Sequence, residues 1–195
     1  MMDSSTDARR WQHWGGGGLI AAAILQALGL VGYYLTSVRM PAVALPIAEG
    51  FALLSATALL LATFPLALGT TRSNGIVGAS VTGRVGLIAT GVFVMLARVT
   101  MLLFFSAGFP LGGTLAAAVD VFEGVAAVAA LVASVVIWRQ AIATGIARWS
   151  LFASVVTTIV AELLSGYSST ISWTLAGLSI AALAFAGLSY LRNRQ

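Results

Sequence analysis

The stretch VGLIATGVFVMLARVTMLLFFSA, residues 85–107, decides the class of this protein. It is 23 residues long and Arg98 is its only charged side chain. As a helix rising ~1.5 Å per residue it reaches about 34 Å, enough to cross the roughly 30 Å hydrocarbon core of a bilayer. Apolar residues fill the run continuously instead of alternating, so the pattern is that of a spanning helix and not of a barrel strand.

Five further runs have the same character. They extend from Gly18 to Val38, from Ala42 to Leu68 with Pro46 and Pro65 inside, from Gly113 to Trp138, from Trp149 to Gly166, and from Ser172 to Leu191. The fifth of the six in chain order, Trp149 to Gly166, is the shortest. Composition supports this reading over the whole length. Of 195 residues, 59% are hydrophobic and 8% charged, with a mean hydropathy of +1.00. A soluble domain of this length would carry about 50 charged residues, whereas this chain has ten basic and six acidic ones.

Arginine placement predicts orientation. Arg9 and Arg10 precede the first span, Arg72 and Arg84 lie in the second connection, Arg139 and Arg148 in the fourth, and Arg192 and Arg194 follow the last. The opposite side has Arg39 alone. Cationic side chains are retained on the cytoplasmic side, so both termini are expected there, with an even number of spans. Trp11, Trp14, Trp138, Trp149 and Tyr190 then fall at the cytoplasmic interface, and Tyr33, Tyr34, Tyr167 and Trp173 at the outer one, levels that amphipathic rings prefer. The first apolar run, at about 20 residues, is longer than the 7–15 of a secretory signal core, which predicts an uncleaved span.

The expectation is therefore an all-α polytopic membrane protein, a six-transmembrane-helix bundle with both termini in the cytoplasm. Its parts are a tail over 1–17, a single transmembrane domain over 18–191 and a short tail over 192–195. The expected location is a bacterial cytoplasmic membrane. Gly15 to Gly18 read as a flexible lead-in to the first span. Small residues four apart, Ala23/Ala27, Ala126/Ala130 and Gly177/Ala181, read as sites of close helix approach.

Several chemistries are excluded by inventory. There is no cysteine and no lysine, and His13 is the only histidine. Thiolate or histidine-based metal sites, Schiff-base lysines and a Ser-His-Asp triad within the bilayer are unavailable. No cofactor and no bound metal are expected. The basic balance is explained by topology, and no nucleic-acid partner is expected.

What chemistry remains is concentrated in five ionisable groups inside the spans: Glu49, Arg98, Asp120, Glu123 and Glu162. A charge facing lipid at mid-bilayer costs at least about 2.5–3.5 kcal/mol, so these groups should face the bundle interior, water or one another. By helical rise, all five fall in the outer half or near the midplane. Asp120 and Glu123 share a helix face at three-residue spacing. Ser154, Thr158, Glu162 and Ser165 form a polar stripe on the fifth span, Pro46 loosens the backbone near Glu49, and Tyr33 and Tyr34 stand at a height from which they could cap a pocket. Four carboxyls against one guanidinium predict a site that holds a cation or keeps some acids protonated.

Glu49-Gly50-Phe51-Ala52 parallels Glu123-Gly124-Val125-Ala126, and Arg84 precedes Arg98 by the same interval that separates Arg148 from Glu162. The pattern suggests two related helical hairpins.

Three functions are compatible with this distribution. The leading one is an integral membrane ligand-binding or transport protein with an outward-facing acidic pocket for a cation, an amine or a proton. In it Arg98 organises the site and Asp120 or Glu123 titrates. The second is an intramembrane acid-catalysis enzyme acting on a lipid or isoprenoid substrate, with Phe104, Phe105, Phe109 and Phe122 as walls. The third is an accessory subunit whose cytoplasmic arginines dock a partner. The expected partners are the bilayer and a small cationic or lipid-like ligand, with a partner subunit or homo-oligomer compatible with all three.

Overall fold

The computed structural model describes residues 4–37, 40–69, 75–106, 114–143, 145–164 and 169–192. Hydrocarbon offers the backbone no hydrogen-bond partner, so each apolar run must satisfy its own amides, and a helix does this. Six helices result: α1 (Ser4–Ser37), α2 (Pro41–Leu68), α3 (Val81–Ser106), α4 (Thr114–Gln140), α5 (Ala147–Leu164) and α6 (Ser169–Arg192), and the described residues contain no strand. Five of them contain segments long and apolar enough to cross a membrane, and α5 has a shorter apolar stretch, Ala147–Ala161. These helices fit a multipass membrane protein. The apolar part of α1 runs Gln12–Leu35, which begins before the Gly18 start expected from the sequence.

The helices form a ring. Each packs against its neighbours in sequence and α6 closes on α1, while no other pair approaches among the described residues. The α1–α2 seam is the most extensive and the α4–α5 seam the thinnest.

The seams depend on absent side chains. A Cβ on Gly18 would lie 2.7 Å from the Ala62 Cβ, and one on Gly16 2.8 Å from the Gly187 carbonyl oxygen. Gly15 meets Leu66 in the same way. Gly15 to Gly18 are thus part of a continuous helix and are packed contact points at three of the four positions, not a flexible lead-in. Backbones approach this closely in lipid because dispersion and weak polar contacts, not the hydrophobic effect, hold the helices together. Buried hydroxyls add to this. The Ser55 hydroxyl donates to the Ala22 carbonyl across α1–α2 at 2.9 Å, and the Ser189 hydroxyl donates to Ser150 Oγ across α5–α6 at 2.7 Å. Of the expected small-residue pairs, Ala126 and Ala130 are buried, but Gly177 and Ala181 are exposed, with nothing within 4 Å of a Cβ on Gly177.

The core lies at one end of the ring. Leu19, Leu66, Leu87, Ile137, Leu151, Ala186 and Tyr190 meet there, joined by Ile76 and Val77 from the α2–α3 connection. The described residues of that connection, 75–80, fold under the bundle, with Ile76 and Val77 fully buried. The Ile76 amide donates to the Leu66 carbonyl at 2.8 Å, and the Arg84 guanidinium donates twice to the Gly78 carbonyl, at 3.2 and 2.9 Å. Gly78 has φ +58°, a left-handed conformation that costs glycine nothing. At the same end Arg148 donates to the Trp138 carbonyl at 2.7 Å and lies over the Trp138 ring, 5.6 Å from its centroid. Trp149 packs on Trp138 at 5.6 Å. This clasp joins α4 to α5 where their packing is otherwise thin. Both the start of α1 and the end of α6 belong to this packed end, as the Gly16–Gly187 contact shows.

Candidate functional site

Away from the packed end lies an open cavity of about 210 Å³, walled by α1, α2, α3 and α6. Helical periodicity supplies the walls. Gln26, Gly29, Leu30 and Tyr33 of α1 recur at the three- and four-residue spacing of one helix face, as do Ala176, Ser179 and Ile180 of α6. Ala48, Glu49 and Ala52 come from α2, and Arg98 is the contribution of α3. Space exists because small residues (Ala48, Ala52, Ala176) stand where bulky apolar ones would fill it. Pro46, one turn before Glu49, lies inside α2 and lacks the amide that would bond the carbonyl four residues back.

Two opposite charges therefore face one void from different helices. Arg98 is already engaged, since its Nη2 lies 3.4 Å from Glu123 Oε1 on α4, with both side chains about one-third exposed (31% and 33%). Glu49 is different. Its Oε2 is buried and has no hydrogen-bond partner among the described residues. A buried carboxylate oxygen without a donor is costly; Glu49 lines the cavity, so a rotation of its side chain would bring that oxygen to whatever enters. The Ser179 hydroxyl donates to the Ala176 carbonyl at 3.0 Å, which leaves its oxygen lone pairs as acceptors.

Aromatic rings border this region. Tyr33, a lining residue, stacks on Trp173 of α6 at 5.9 Å and 29°. Tyr34 meets the same indole edge-on, also at 5.9 Å, and is itself exposed. The three rings tie α1 to α6 on the side away from the packed core.

Among the site residues expected from sequence, the structure brings Glu49, Arg98 and Tyr33 to one cavity and adds Glu123 through its ion pair. Tyr34 does not line the cavity but meets Trp173, the ring on which Tyr33 stacks. Asp120 does not join. It is exposed and stands five full helical turns before Trp138, on the face of α4 that meets Trp149 of α5. Thr158 is also exposed, with its hydroxyl donating to the Ser154 carbonyl at 3.0 Å. The Glu162 side chain lies outside the described residues. So do Phe109 and the side chains of Phe104 and Phe105, while Phe122 tilts against Phe93 at 6.1 Å and does not line the cavity. No group of three or more His, Asp or Glu able to hold a metal occurs among the described residues.

Gln26 and Ser179 were not singled out by sequence reading, and Trp173 only as an aromatic of the outer interface. Gln26 had a signal: it is the one amide within the apolar run of the first span. The chain matches no protein-family model, no curated protein and no solved structure, so the site must be read from its own chemistry.

Proposed function

We propose that this chain is a multipass protein of a bacterial cytoplasmic membrane that binds a small cation in the α1–α2–α3–α6 cavity and moves it across the bilayer. The supporting observation is the partnerless buried oxygen of Glu49 in a cavity whose guanidinium is already paired with Glu123. With all three groups ionised the local charge is −1, which attracts a cation and repels an anion. Glu49 takes the part assigned from sequence to Asp120 or Glu123, because Asp120 does not line the cavity and Glu123 is held by Arg98.

The arginines support an orientation. Arg84, Arg139, Arg148 and Arg192 all belong to the packed end, and retention of positive charge on the cytoplasmic side supports a cytoplasmic location for that end and for both termini. The cavity then belongs to the outer half, above a sealed core. Transport requires that core to open in turn, by one part of the bundle rocking against the rest.

The chain has no cysteine, so a single Ala176→Cys substitution provides a reporter without background. Applied to intact cells, the cationic thiol reagent MTSET should modify this site faster than the anionic MTSES, by about tenfold after normalising to a free thiol in buffer. Adding Glu49→Gln should remove most of that preference. No modification from outside, or equal normalised rates, would refute an outward, cation-selecting cavity.

A further inference from the structure

We infer that the cavity takes a primary ammonium group carried on a small apolar body. This rests on the cation-binding reading above and narrows it to a ligand class.

Size is the first constraint. At about 210 Å³ the cavity is below the roughly 300–1,000 Å³ of pockets that take drug-sized molecules. The composition of the walls is the second. Leu30, Ala48, Ala52 and Ile180 bring hydrocarbon side chains, and the lining residues with side-chain oxygens are Glu49, Gln26, Tyr33 and Ser179. A hard metal ion demands about six oxygen ligands at short range, and this set, with only one carboxylate, does not build such a shell. Apolar wall of this extent is instead suited to an organic body.

The third constraint is hydrogen bonding. Glu49 Oε2 lacks a donor, not merely a counter-charge. A quaternary ammonium has no N–H to give it, whereas a primary ammonium has three. One can satisfy the Glu49 carboxylate once its side chain turns toward the void, and Ser179 and Gln26, whose side chains carry acceptor oxygens, line the same walls. Arg98 faces the cavity from α3 and disfavours an ammonium near it, so the charged head belongs at the α2 wall and the apolar body toward Leu30 and Ile180. The fixed cation thereby orients the ligand.

Benzylamine, benzyl alcohol, benzoate and benzyltrimethylammonium share one apolar body and differ in charge and N–H content. Binding is measured by calorimetry on the full chain in lipid nanodiscs. Benzylamine is expected to bind saturably and at least about tenfold tighter than the other three. Glu49→Gln should weaken benzylamine at least about tenfold, to the level of benzyl alcohol. Ala52→Leu, which fills the cavity and keeps every charge, should weaken it as well, and Asp120→Asn should leave it unchanged. Ala52→Leu also decides the matter if Glu49→Gln fails to fold. The inference is overturned if benzylamine does not bind, if the alcohol, the carboxylate or the quaternary amine binds as tightly, or if benzylamine binding survives Ala52→Leu. Should MTSET selectivity at position 176 persist while no amine binds, the cavity remains cation-selective and only the amine assignment falls.

Discussion

Gly187→Ala is expected to destabilise the bundle by about 1–3 kcal/mol, the range for overfilling a packed interior. The same substitution at Gly177, on the same helix, should stabilise it by up to ~1 kcal/mol. The contrast comes from what a methyl group would meet. At Gly187 a Cβ falls 2.7 Å from the Gly16 carbonyl oxygen and 2.7 Å from Ile20 Cγ1. A backbone carbonyl cannot rotate away as a flexible side chain can, so α6 must move off α1. That seam closes the ring, and no second layer of contacts replaces it. At Gly177 nothing lies within 4 Å, so alanine meets no obstacle and only lowers the entropy of the unfolded chain. Unfolding in detergent followed by circular dichroism measures both variants. Shifts of the same sign would mean that α1 and α6 do not meet through their glycines.

The second large effect concerns the ion pair. Glu123→Leu leaves Arg98 without its carboxylate inside a membrane-spanning helix. Breaking a fully buried pair costs about 3–5 kcal/mol. Both partners are about one-third exposed, so screening lowers the expected loss to about 2 kcal/mol. The double variant Arg98→Met/Glu123→Leu removes the stranded charge as well as its partner. It should recover most of that stability, because an apolar pair of similar volume is often neutral relative to an ionic one. A double variant less stable than Glu123→Leu alone would show that Arg98 is held by something other than Glu123.

The contrast between these two effects matches what the sequence made legible. Six helices were readable because bilayer thickness fixes the length of an apolar run, and 85–107 or 113–138 admit no soluble alternative. Glu49, Arg98 and Glu123 were readable because a charge in hydrocarbon is too costly to persist without a role. Asp120 passed the same filter, yet the structure leaves it on the flank of α4 toward α5. A three-residue interval fixes a shared face to within about 60° on a helical wheel, but not which neighbouring helix that face meets. Glycines 15–18 were misread for a related reason. Glycine signals either freedom or close approach, and only the partner, here Ala62, Leu66 or Gly187, tells which. Gln26 and Ser179 escaped notice because an uncharged polar residue is inexpensive in a helix bundle and therefore common.

The central claim is that the bundle is sealed at its arginine-rich end and holds a polar, water-accessible cavity at the other. Spin labels at Ala176 and Leu178 test it most directly, because these neighbours on α6 point in nearly opposite directions, one into the cavity and one outward with 52% exposure. In lipid vesicles, a label at 176 should collide preferentially with a water-soluble paramagnetic nickel chelate, and a label at 178 with dissolved oxygen from the hydrocarbon. Equal, oxygen-dominated collision at both positions would mean that no such cavity exists.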